Sequence, residues 1–99
     1  MGVQPSTATG SDDATTHFNR AVELHKKGDL AGALTEYRTA LRLDPNHVDA
    51  HINLGNALKA LGRQADAREE FTKALGLLPD TPANQYKIKQ VKQRIRELE

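Results

Sequence analysis

The chain has no cysteine and no tryptophan, and only two phenylalanines and two tyrosines among its 99 residues. Without cysteine, neither a disulfide framework nor a thiolate metal site can hold it together, so its stability has to come from packing. With so few aromatic rings, that packing has to be close and economical. No apolar run approaches the roughly 18 to 20 residues that a bilayer-spanning helix needs, and the N-terminus lacks the apolar block of a signal peptide. A membrane is therefore not expected as a partner, and the cytoplasm is the expected location. Net charge is also scarce, formally +1, far from the excess with which proteins coat phosphate backbones, so nucleic acid is not expected either. The one local surplus lies in residues 82–99, where Lys87, Lys89, Lys92, Arg94 and Arg96 stand against Glu97 and Glu99. A solvated helix face accounts for it.

What is present is a soluble balance of 37% apolar and 27% charged residues, enough for one small core. Residues 1–13 are rich in Ser, Thr, Gly and Pro and show no apolar periodicity, so they cannot repay the entropy of ordering and are predicted to form a flexible tail. Beyond them apolar residues recur at intervals of three and four, as in Leu30, Ala33, Leu34, Tyr37, Ala40 and Leu41, which is one face of a helix. No segment alternates like a strand. Gly28, Pro45, Gly62, Pro79 and Pro82 punctuate the pattern. The predicted fold is all-α, with five helices over about Asp13 to Lys27, Leu30 to Leu43, Val48 to Leu61, Gln64 to Leu77, and Pro82 to the C-terminus.

A shift of 34 residues aligns the chain with itself: His17 with His51, Asn19 with Asn53, Leu24 with Leu58, Gly28 with Gly62, Ala33 with Ala67, Glu36 with Glu70, Tyr37 with Phe71, and Pro45 with Pro79. In the second unit, His51, Leu54, Gly55, Leu58, Ala67, Phe71 and Pro79 follow the pattern W-x2-L-G-x2-Y, A-x3-F, P. The first unit places His17, Arg20, Ala21, Leu24, Ala33, Tyr37 and Pro45 in the same slots, with Arg20 departing from the apolar residue expected there. The chain thereby resembles the tetratricopeptide repeat family. The resemblance divides it into a repeat at 14–47, a repeat at 48–81 and a capping helix at 82–99, and implies an α-α superhelix of stacked antiparallel hairpins. Small residues at Ala21, Gly55, Ala33, Ala67, Ala40 and Ala74 suit close helix approach, and Ile88, Val91, Ile95 and Leu98 give the last helix one apolar side to lay over the stack.

In the family the first helix of each pair lines the inside of a curved stack. That similarity places Phe18, Val22, His25 and Lys26, then Ile52, Asn56 and Lys59, then Tyr86, Gln90 and Arg94 on a groove for a partner protein or peptide. Phe18, Ile52 and Tyr86 recur at 34 residues as an apolar row, with Lys26, Lys59 and Arg94 as a basic margin, which suits a ligand with apolar anchors and some negative charge. One subset of the family clamps a chaperone's C-terminal carboxylate. The corresponding slots here hold Phe18, Val22, Asn53, Ala83 and Tyr86, of which only Asn53 matches, so the cationic fork of that clamp is missing. Asn19 and Asn53 are expected to tie neighbouring helices instead.

His47 and His51 are four apart, a metal-ligand spacing when both lie on a helix, but His47 is expected before the helix and only Asp49 is close by. No metal or other cofactor is therefore expected. No local motif supplies a nucleophile, a base and an orienting group, so no catalytic residue is assigned and the chain is not expected to be an enzyme. The expected function is protein–protein interaction through the groove. The alternative is a self-associating segment, or a piece of a longer array, because two repeats are fewer than the usual three; Leu30 and Leu34 are the candidate contacts for self-association.

Overall fold

The computed structural model describes residues 13–99, so all of the expected tail except Asp13 lies outside the described residues. Among the described residues there are five α-helices and no strand: α1 Ala14–Lys26, α2 Leu30–Leu43, α3 Val48–Ala60, α4 Gln64–Leu77 and α5 Gln85–Arg96, with a single 3-10 turn at Pro82–Asn84 leading into α5. Successive helices pack on one another, α1 on α2, α2 on α3, α3 on α4 and α4 on α5. The fold is the stack of antiparallel hairpins that the repeat implies.

Local chemistry sets the helix ends. Gly28 and Gly62 adopt φ of 87° and 81°, a region that L side chains avoid and that glycine enters without strain. Each then closes its helix in the same way. Gly28 N–H donates to His25 O and Asp29 N–H to Leu24 O; Gly62 N–H donates to Lys59 O and Arg63 N–H to Leu58 O. These paired bonds satisfy carbonyls that a helix C-terminus otherwise leaves open. At the N-termini, Asp13 accepts from Thr16 N–H at 2.8 Å and Asp29 from Gly32 N–H at 2.9 Å. His47 performs the same role for α3, its Nδ1 accepting from Ala50 N–H at 3.1 Å.

The core runs along the stack. Tyr37 and Phe71, one per repeat, are fully buried, together with Leu54, Leu58, Val91 and a lining of alanines at 21, 33, 40, 50, 57, 67 and 74. Each large side chain contributes on the order of 1.5–3 kcal/mol when removed from water, and the alanines let the helix axes come near enough to enclose it. Gly55 shows how near: a Cβ there would stand 2.6 Å from the Phe71 ring. Of the two residues expected as self-association contacts, Leu34 is buried in the core and Leu30 is partly buried against it.

Each hairpin is also tied by a polar pair 19 residues apart. His17 Nδ1 lies 2.6 Å from Glu36 Oε1, and His51 Nδ1 lies 2.8 Å from Glu70 Oε1. The His51 Nε2–H also donates to the Pro45 carbonyl at 2.8 Å. His51 is almost fully buried, and buried polar groups persist where each has a partner.

The two ends of the stack differ from its middle in the residues placed in equivalent slots. Where α3 turns Ala50, Leu54 and Ala57 into the core, α1 carries Thr16, Arg20 and Glu23. Where α3 turns Gly55 and Leu58 inward, α5 carries the exposed Lys89 and Lys92, while its Ile88 and Val91 fill the Leu54 and Ala57 slots and are buried. Arg20, the residue that departs from the repeat pattern, is exposed where the equivalent Leu54 is buried.

Candidate functional site

The residues expected to line a groove on α1, α3 and α5 divide into two groups. On α1 the candidates are engaged with the core. The Phe18 ring stacks on His47 at 4.7 Å between centroids and leans on Tyr37 at 6.0 Å, so it joins α1, α2 and the cap of α3. Val22 is half-buried against the same cluster. His25 Nδ1 is 3.1 Å from the Tyr37 hydroxyl, and burial pushes the Tyr37 phenol above its ordinary value against a smaller opposing pull from an Asn53 hydrogen bond. Lys26 is exposed, 3.8 Å from Glu23. Of the two repeated asparagines, Asn53 is half-buried, whereas Asn19 is exposed beside Thr16, Arg20 and Glu23.

The second group is nearer to solvent. Ile52 is half-buried against the core and Asn56 half-exposed on the next turn of α3. Tyr86 is 74% exposed. With Lys89, Gln90, Gln93, Arg94 and Glu97 it lines a shallow depression of about 480 Å³ along α5. The apolar row therefore grades from the engaged Phe18, through Ile52, to the open Tyr86. Packing explains the gradient: His47 covers Phe18, and no described residue stacks on Tyr86.

Two ion pairs fasten α5 beside α3. Lys87 Nζ donates to Asp49 Oδ1 at 2.9 Å near the N-terminal ends, and Lys59 Nζ to Glu97 Oε1 at 2.7 Å near the C-terminal ends. Both join residues 38 apart, one repeat plus one helical turn, with their charges in opposite order. Hydrogen bonding to Lys59 and its positive charge hold the Glu97 carboxyl below the ordinary carboxylate value, and Gln93 and Arg94 act in the same direction. The basic margin is accordingly not all free, since Lys59 already has a carboxylate. The sequence reads Glu97 as a counter-charge within its own helix, whereas the 38-residue spacing of opposite charges pairs it with Lys59 on α3.

The histidines are committed to structure. His47 caps α3, and both ring nitrogens of His51 have protein partners, so neither ring is arranged as half of a metal pair. Among the described residues no group of three or more His, Cys, Asp or Glu side chains converges as a metal site, and no helix is long and apolar enough to cross a membrane.

Comparison with known proteins finds the family profile described as TPR repeat over residues 21–62 and the profile described as Tetratricopeptide repeat over residues 48–81. An uncharacterised protein of Methanocaldococcus jannaschii is 38% identical over 64 residues, which are 65% of this chain and 74% of that protein. The protein O-mannosyl-transferase TMTC1 of Homo sapiens is 29% identical over 82% of this chain, and bacteriophage adsorption protein A of Escherichia coli 33% identical over 83% of it. The chain spans about three quarters of the first of these proteins, but only 10% and 8% of the other two.

Proposed function

Since this chain belongs to the tetratricopeptide repeat family, whose repeats generally mediate protein–protein interaction, we propose that it binds a peptide or helix of a partner protein along the inner faces of α3 and α5. The observation that carries this reading is Tyr86, a large aromatic side chain left 74% exposed beside the polar side chains of Gln90, Gln93 and Arg94. An exposed aromatic in a polar surround suits partner recognition, because its burial releases apolar surface while the rim supplies hydrogen bonds. Ile52 and Asn56 extend the same surface on α3. Phe18, Val22 and His25 shape its far end from within the core, and Lys26 stands at its edge.

No transferase activity is carried over from the O-mannosyl-transferase relative, which shares only a tenth of its length with this chain. The chain acts as a non-catalytic binding module, and its His–Glu pairs serve hairpin packing.

The test is site-directed photo-crosslinking from single positions in native extract. A crosslinker at Gln90 or Asn56 is expected to capture a partner that the same group at Thr72, on α4, does not, and Tyr86→Ala is expected to weaken that capture. Equal capture from Thr72, or capture indifferent to Tyr86→Ala, overturns the groove assignment.

A further inference from the structure

The Lys59–Glu97 pair is built differently from a simple fastener. The Lys59 ammonium stands 2.7 Å from the Glu97 carboxylate, and Gln93 and Arg94 line one depression with that carboxylate; the lowered Glu97 carboxyl, held down chiefly by Lys59, agrees with this placement. Lys59, Gln93 and Arg94 belong to the inner surface of α3 and α5, and the depression begins at Tyr86. The pair also remains within reach of solvent, with side-chain exposures of 32% for Lys59 and 41% for Glu97. A dissolved carboxylate can therefore exchange with the internal one.

Glu97 is moreover not needed to dock α5. The helix stays fastened by Lys87 to Asp49 at 2.9 Å and by Arg68 to Glu99 at 3.4 Å, and Ile88 and Val91 are buried beneath it. Burial of those two apolar side chains outweighs any exposed ion pair, since surface pairs contribute little to stability. Glu97 instead pairs with Lys59 while lining the depression that holds Gln93 and Arg94.

We propose that Lys59, Gln93 and Arg94 form an acidic-side-chain subsite, which Glu97 fills in the free protein and from which a carboxylate of the bound partner displaces it. The subsite rests on the groove reading above and adds the chemistry of the partner. Tyr86 and Glu97 are eleven residues apart on α5, or about 16 Å at 1.5 Å per residue. The partner that fits carries an apolar side chain against Tyr86 and an Asp or Glu about three helical turns away. Because one carboxylate replaces another, the net gain in the native protein is small. Glu97 acts as a tethered competitor that holds affinity down.

The experiment uses a fluorescein-labelled helical peptide with two Leu at one end and a single Glu three turns away, and its twin with Gln in place of that Glu. Binding to the full chain is read by anisotropy. Glu97→Gln is expected to raise affinity for the Glu peptide about two- to five-fold, the range that loss of a competing surface ion pair implies. It is expected to leave the Gln peptide unchanged. Adding Lys59→Gln to Glu97→Gln should abolish the preference for Glu, and Asp49→Asn, which breaks the other fastener, should change neither affinity. In the native protein, saturation with the Glu peptide should move the Glu97 carboxyl titration, followed by 13C NMR, upward towards the ordinary carboxylate value. Binding that depends on Tyr86 but ignores the Glu–Gln difference, or a Glu97 titration that the Glu peptide does not move, overturns the subsite alone. Failure of both peptides to bind any variant overturns the groove reading together with it.

Discussion

Helices α1 and α3 occupy the same place in two consecutive repeats, yet one is half wetted and the other nearly enclosed. In α3 the residues Ala50, His51, Leu54, Gly55, Ala57 and Leu58 are buried; in α1 only Ala21 is. The cause is the number of neighbours. Helix α3 packs between α2 and α4, whereas α1 packs chiefly on α2. The slots of Leu54 and Ala57, buried in α3, hold the exposed Arg20 and Glu23 in α1. Burial in a stacked fold therefore belongs to the interface and not to the repeat unit.

The sharpest way to break that comparison is to truncate one slot in both helices. Leu54→Ala is expected to cost about 2–5 kcal/mol in urea unfolding, as buried leucine truncations do. Arg20→Ala in the equivalent slot is expected to stay within about 0.5 kcal/mol, as for an exposed surface change. Comparable losses at the two positions would mean that the α1 face is covered after all.

The two His–Glu pairs give a finer contrast. His51→Leu removes the ring that Glu70 and the Pro45 carbonyl bond, leaving Glu70, among the described residues, only its pair with Lys73 at 3.4 Å, and the expected destabilisation is about 1–3 kcal/mol. His17 and Glu36 are more exposed, so His17→Leu should cost less in the same assay, because water can replace the lost partner. A larger loss at His17 would show that the pairs matter for some reason other than burial.

Gly55 and Ala21 share a slot as well, and here the closer approach is in the second repeat. Gly55→Ala gains up to about 1 kcal/mol of helix propensity but forces a methyl against the fully buried Phe71, an overpacking of about 1–3 kcal/mol. The net expectation is a loss of about 1 kcal/mol with a broadened Phe71 ring signal in NMR. A stabilised variant would mean that Phe71 moves freely.

The smallest effect concerns the fasteners of α5. The Glu97 carboxyl is held below its ordinary value by Lys59, so its contribution is present above the unfolded carboxylate pKa and lost as pH falls through the lowered folded value. Thermal scans should therefore show Glu97→Gln converging with the native protein at strongly acidic pH and separating from it towards neutrality. Curves that stay apart at low pH would assign the difference to something other than this charge.

Much of this was legible in the chain itself. The 34-residue register located both hairpins, the glycines with positive φ marked where the first helix of each pair stops, and the apolar side of residues 88–98 identified a helix that lies on the stack. Legibility failed where an assignment depended on what lies across from a residue. Phe18 reads as a groove anchor by its slot, but the cap of α3 brings His47 onto its ring. Lys59 reads as a free cation, but α5 delivers Glu97 to it. Leu34 reads as a candidate for self-association, but it lies buried in the core.

What the sequence alone determined is everything that short-range physics controls: which segments coil, where backbone conformation ends them, and which side of each helix is apolar. What the tertiary structure decided is which of those sides acquires a cover and which charges meet. Helical periodicity fixes the direction in which a side chain leaves its own axis, while the neighbour it meets is set by the stacking of whole helices, as with the two ion pairs that close over a separation of 38 residues.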